Sequence, residues 1–390
     1  MNPSVGTHKF LLIAVAALGA GLPVFGGITY TCDPSINLDA YANLCATLNG
    51  TAGTAFTGGL AGLYNSTFTN ANATIYIQFN NNGGLGESTP GFGADATYAQ
   101  YQNQLQIKST DPAKLTVPAT EPGLYSGGGV FLTNALANAL GFTGVDGVEF
   151  NPGGDAQNGW AGSSCTSPGD GAVVVASPTA CYNGILTLNT PALLDSQDNQ
   201  GYTYRGLGGS TTSATGGNYD IYSIIEHETD EILGTSSCYF TTPGSAGPPI
   251  VPGSITDGCG GTNVSAADLF RYSAPNTRTI NTVGGTAYFS ANNGTTDYEG
   301  NQYDNLENGN DWADFSNNCT FVQDGFGCPN GQPFDITSDN NGTSGAGPEV
   351  AILNAVGYNL ANPTPEPSTL GLLGVSLAAL ALGRKRLHGK

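Results

Sequence analysis

The sequence predicts an α+β domain with a small sheet and a loop-rich C-terminal half, and three observations carry that reading. Period-two alternation, clearest in Ala73-Thr-Ile-Tyr-Ile-Gln-Phe79, is interspersed with helical patterns through the first part of the chain. One long helical pattern at residues 221–234 holds a histidine among four carboxylates. Beyond it the chain is mostly turn residues and short apolar runs, the composition of irregular structure.

The elements follow in order. Residues 35–48 read as a helix. Residues 73–79 read as a strand, ended by the Asn/Gly run at 80–84. Residues 96–107 read as a second helix, and residues 129–140 as a third, closed by Gly141. Residues 147–150 and 184–189 read as strands. A polar loop then leads to the helix at 220–234, with Asp220 as its N-cap and Gly234 where a C-terminal glycine belongs. A short strand at 287–290 and a last helix at 348–358 complete the domain.

Both ends carry targeting patterns. Residues 1–26 read as a secretory signal, with Lys9, an apolar run from Phe10 to Ala20, and small residues near a cleavage position. At the other end, Thr364-Pro-Glu-Pro367 precedes an apolar run from Leu370 to Gly383 and then Arg384-Lys-Arg386. A short hydrophobic helix closed by a basic cluster is a stop-transfer pattern. This tripartite tail, residues 363–390, resembles the PEP-CTERM sorting signal of Gram-negative bacteria. The resemblance implies transient membrane anchoring through the C-terminal helix, processing by signal peptidase and exosortase, and display or release at the cell surface. One secreted domain, residues 27–362, lies between the two signals.

Composition narrows the function. Five basic residues, Lys108, Lys114, Arg205, Arg271 and Arg278, stand between the terminal signals, against all but one of the chain's 30 acidic residues. Nucleic-acid binding needs a basic footprint, so that class is excluded. Eight cysteines suit an oxidising compartment. They fall into the close pairs Cys32/Cys45, Cys165/Cys181, Cys238/Cys259 and Cys319/Cys328, and nearest-neighbour pairing is the expectation. None has the spacing of a zinc ribbon or redox dithiol.

The chemistry concentrates at Ile221-Tyr-Ser-Ile-Ile-Glu-His-Glu-Thr-Asp-Glu-Ile-Leu-Gly234. At 100° per residue, Ile221, Ile224, Ile225 and Ile232 share one face, and Glu228 falls inside it. Glu226 and Asp230 are expected to face solvent. His227 and Glu231, four apart, share the flank. A carboxylate on the core side must pair, bind a cation or take a proton. The segment differs by one residue from H-E-x-x-H, in which two histidines hold zinc and the glutamate activates water. In that frame His227 and Glu231 are metal ligands and Glu228 is the general base. The same pattern also suits a flank histidine paired to Glu231.

This motif is followed by Ser265-Ala-Ala-Asp-Leu-Phe-Arg-Tyr-Ser273, Ala287-Tyr-Phe-Ser290, Asp311-Trp-Ala-Asp314 and Val356-Gly-Tyr358. In that order the segments resemble a family of PEP-CTERM-bearing metalloprotease-like proteins, distantly similar to metzincins. The resemblance implies a metzincin-like fold, with a small twisted sheet over the active-site helix and a disulfide-stapled C-terminal half. It also implies a zinc cofactor and a peptide or protein substrate. The chain departs from the metzincin pattern at Ser237, where the third histidine would stand, and it has no methionine beyond Met1. A third ligand must then be a carboxylate or tyrosine, and Asp268 is the candidate. Arg271 is expected to pair structurally with a carboxylate. The acidic stretch 297–314 suits either a calcium-bound loop or a solvated one, with Trp312 and Phe315 pinning it to the core. Two functions follow: an exported, surface-sorted metalloprotease-like enzyme, or a non-catalytic extracellular surface or matrix protein retaining a protease-like fold.

Overall fold

The computed structural model describes residues 27–33, 44–50, 59–80, 85–108, 129–142, 148–150, 157–158, 180–189, 221–238, 263–279, 286–295, 303, 311–316, 321–325 and 347–361. The expected signal segment 1–26, the N-cap Asp220, the sorting tail 363–390 and Cys165, Cys259, Cys319 and Cys328 lie outside the described residues.

The chain opens with strand β1 (Ile28–Cys32), followed by helices α1 (Leu44–Leu48) and α2 (Gly59–Thr67). A disulfide between Cys32 and Cys45 ties β1 to α1, as nearest-neighbour pairing predicts. Strands β2 (Ala73–Asn80), β3 (Gly86–Pro90) and β4 (Phe92–Ala96) precede helix α3 (Tyr98–Lys108). The alternation in β2 buries Ala73, Ile75 and Ile77 completely.

The run expected as one helix at 129–140 divides. Strand β5 (Val130–Thr133) leads directly into helix α4 (Asn134–Ala139), and Thr133 caps that helix by accepting from the Leu136 amide at 3.2 Å. Val-Phe-Leu-Thr is strand-forming by residue type, and it finds partners on both sides in β4 and in β10 (Val264–Ser265). Between β5 and β10 lie β6 (Val148–Phe150), β7 (Gln157–Asn158), β8 (Ala180–Tyr182) and β9 (Gly184–Asn189).

The main sheet has the order β1-β2-β9-β3. Its first three strands run parallel and β3 closes the edge antiparallel to β9. Helix α5 (Ile221–Asp230) packs against this edge and continues into a wider π turn, Glu231–Thr235. Gly234, at φ 115°, ends it. Two glycines allow the close approach. A Cβ on Gly184 would lie 2.6 Å from Ile232, and one on Gly86 would lie 2.5 Å from Glu228 Oε1.

The expectation that Glu226 and Asp230 face solvent is overturned: they are 1% and 0% exposed. A second layer covers that face of α5. Tyr64 of α2 donates to Asp230 Oδ1 at 2.7 Å and to the Glu226 carbonyl at 3.2 Å. Tyr30 of β1 meets the Thr229 hydroxyl at 3.1 Å. Helix α6 (Pro348–Val356) packs near the end of the motif, and Tyr358 just beyond it donates to the Leu233 carbonyl at 2.9 Å.

Candidate metal centre

Four carboxylates crowd one short helix, and the structure divides them by environment. Asp230 is turned into the core against Tyr64, and burial pushes its carboxyl up to about 8. Glu226 is buried on the same side. His227, Glu228 and Glu231 turn the other way, towards β3 and the loop that carries Asp314.

His227 sits between two carboxylates. Its Nε2 is 3.7 Å from Glu231 Oε1 and 3.5 Å from Asp314 Oδ1. Its Nδ1 lies 2.9 Å from the Val322 carbonyl. A carbonyl only accepts, so Nδ1 carries the hydrogen and Nε2 is the atom presented to the carboxylates. His227, Glu231 and Asp314 each offer one ligand atom, and these atoms lie within 4.8 Å of one another. One imidazole and two carboxylates are a donor set that divalent transition metals accept, so these residues fit the implied cofactor.

Burial opposes charging of the His227 ring, but Asp314, Glu231 and Glu228 outweigh it and raise its pKa well above the ordinary value. Burial would likewise raise the Glu231 carboxyl. The hydrogen bond and charge of His227, with the Ser88 hydroxyl, reverse this and hold it below its usual range. Glu228 goes the opposite way: burial first, and the Glu231 charge second, lift it well above that range. The two carboxyls therefore titrate as a pair, with protonation favoured on the Glu228 side. Glu228 is 6% exposed and lies against Gly86 of β3.

Asp268, the ligand expected from sequence, does not join this group. Its carboxylate accepts from the Ser265 amide at 2.8 Å, from the Cys238 amide at 3.1 Å and from the Ser237 hydroxyl. From inside the turn Ala267–Phe270 it braces the backbone of Ser265 and Cys238, and its own amide donates to the Ser265 hydroxyl at 3.1 Å, a structural task. Ser237 is spoken for as well, since its amide donates to both oxygens of Asp311 at 2.9 Å. Arg271, read as a carboxylate partner, donates to the Trp312 carbonyl and lies over the rings of Tyr303 and Trp312. Trp312 and Phe315 are each 1% exposed, which bears out their reading as anchors.

Asp314 is the residue that sequence reasoning missed. It stands in the segment Asp311-Trp-Ala-Asp314, whose paired acids around a tryptophan were the available signal.

Comparison with known proteins adds the address. Residues 363–386 match the PEP-CTERM protein-sorting motif. The protein is exported and sorted to the cell surface or extracellular space of a Gram-negative bacterium. Such signals are processed by exosortase, the partner expected from the tail. The chain matches no curated protein and no solved structure. Among the described residues no helix is long and apolar enough to cross a membrane.

Proposed function

We propose that this surface-sorted protein is a metal-dependent hydrolase of the metalloprotease type, acting on peptide bonds. The observation that carries the reading is that one helix turns His227, Glu228 and Glu231 to the same side, with His227 Nε2 presented to carboxylates rather than to solvent. A sheet whose antiparallel edge strand lies over that helix also supports a metzincin-like fold. His227 and Glu231 would hold the metal, which supplies Lewis acidity for hydrolysis at neutral pH. Glu228 holds and moves the proton. It lies one residue from His227 and beside Glu231; a cation held there would favour its ionised form, which would accept a proton from attacking water and return it to the leaving amine. The burial around it excludes bulk water and strengthens each of these interactions.

The test is peptide hydrolysis by the purified protein with and without a chelator, beside Glu228→Gln. The expected result is activity abolished by chelation and restored by zinc or manganese, with the substitution lowering kcat by roughly 100-fold or more. Activity that ignores the chelator, or a Gln variant as fast as wild type, rejects the reading.

A second reading is a non-catalytic surface protein that keeps this scaffold. The near closure of the site favours it, since the His227 and Glu231 side chains are only 15% and 12% exposed. Metal binding without any hydrolysis is the outcome that selects it.

A further inference from the structure

We infer that Asp314 is the third protein ligand of a preformed centre for a divalent transition metal, built from one imidazole and two carboxylates. The inference rests on the metal reading of His227 and Glu231 given above, and not on its hydrolytic part.

Proximity is the first argument. Asp314 Oδ1 lies closer to His227 Nε2 than Glu231 Oε1 does, 3.5 Å against 3.7 Å. A tetrahedral metal bonded to imidazole nitrogen and carboxylate oxygen at about 2.0–2.2 Å holds such ligand atoms roughly 3.3–3.6 Å apart. The two distances from His227 Nε2 are close to that spacing, and all three atoms lie within 4.8 Å of one another.

The outer contacts are the second, independent argument. Metal ligands are characteristically held by a hydrogen bond on the side away from the ion. His227 and Glu231 each have one on the far atom, and Asp314 has one on the ligand oxygen itself. His227 Nδ1 donates to the Val322 carbonyl at 2.9 Å. The Ser88 hydroxyl donates to Glu231 Oε2 at 2.6 Å, leaving Oε1 as the atom turned to His227. The Gln323 side-chain amide donates at 3.1 Å to Asp314 Oδ1, the oxygen that faces His227, and so fixes its position. Gln323 is itself held, because its backbone amide donates to Glu349 Oε1 at 3.1 Å and its side-chain Oε1 accepts from the Thr235 hydroxyl at 3.4 Å. The outer partners come from β3 and from the 321–325 segment, so the site is assembled from sequence-distant parts.

The donor set selects the ion. Two carboxylates and one imidazole suit zinc, manganese or ferrous iron. Calcium takes six to eight oxygens and does not favour imidazole.

The experiment is a competition titration of the chelator-stripped full-length protein with Zn²⁺ and with Mn²⁺, beside Asp314→Asn and Ser88→Ala, with folding of each checked by circular dichroism. The expected result is stoichiometric binding by wild type, a loss of about 100-fold or more in the Asp314 variant, and a loss of roughly 10–100-fold in the Ser88 variant. If Asp314→Asn does not fold, Asp314→Glu keeps the charge and displaces the oxygens, and it must still weaken binding. Wild-type affinity in a folded Asp314 variant overturns the inference, and so does a wild type that binds neither ion. Tight, Asp314-dependent binding without Glu228-dependent hydrolysis leaves it standing and removes the hydrolase reading alone.

Discussion

Arg271 is 2% exposed, and its guanidinium carbon lies 5.1 Å from the ring centres of both Tyr303 and Trp312. It also donates to the Trp312 carbonyl, two residues before Asp314. A flat cation packed against two rings pins the loop that carries Asp314. Arg271→Lys keeps the charge but loses the planar fork, so it should weaken metal binding by roughly tenfold, as outer positions do. Competition titration checks this, and an unchanged affinity would detach Arg271 from the site. Asp268 makes the opposite point. Sequence reading offered it as a ligand because it is an acid within the 265–273 segment. Its environment shows instead an oxygen pair occupied by local amides and a serine hydroxyl. Asp268→Ala leaves those buried donors unsatisfied and should cost about 3 kcal/mol in urea unfolding. A loss near zero would contradict the structural role. No spacing rule separates these acids, because backbone bracing and ligation use the same side chain and differ only in what surrounds it.

At the scale of elements, the approach of β3 to α5 depends on residues without side chains. A methyl on Gly86 would sit 2.5 Å from Glu228 Oε1 and 2.7 Å from Ile224. Gly86→Ala must push the edge strand off the helix or displace the Glu228 carboxyl. It should therefore cost about 1–3 kcal/mol, the range for overpacking, and disturb the paired titration of Glu228 and Glu231. Thermal unfolding reads the first effect, and a variant as stable as wild type would contradict the packing. The body and C-terminal end of α5 were legible: its isoleucine period and Gly234 mark a helix and its end. The run 129–140 was not. Apolar residues without a clear period serve either element, and pairing with β4 and β10 decided for strand over the first four.

Over the whole molecule, the net charge of −20 is carried partly inside. Glu228, Asp230, Asp268, Asp311 and Glu349 all have carboxyls raised above their ordinary values, by burial first. The folded chain thus keeps protons that the unfolded chain releases, and stability falls as pH rises from the unfolded carboxyl range. For Asp230 the window runs from about 4, the unfolded value, to about 8 in the fold. His227, also raised, adds stability below its unfolded value that fades as pH climbs through its folded value. Glu231, lowered, works in the other direction and loses its contribution only in stronger acid. The chelator-stripped protein should therefore melt at a higher temperature at pH 5 than at pH 8, and bound metal should narrow the gap. Melting curves across that range check it, and a rise in melting temperature towards pH 8 would count against the buried carboxylates.

The sequence by itself determined the export address, the existence and C-terminal end of the motif helix, the β2 and β9 strands and the Cys32–Cys45 bridge. Each of these is local: a hydrophobic run beside a basic cluster, a period, a terminal glycine, a short loop. Only the tertiary structure decided which acid joins His227 and Glu231, that Asp268 is taken up by nearby amides and a hydroxyl, and that Glu226 and Asp230 are buried. Those outcomes depend on segments brought together across tens to hundreds of residues, such as Ser88 with Glu231 and Asp314 with His227. A carboxylate's role follows from its distance to a partner and its exclusion from water, and neither quantity is written in the order of residues.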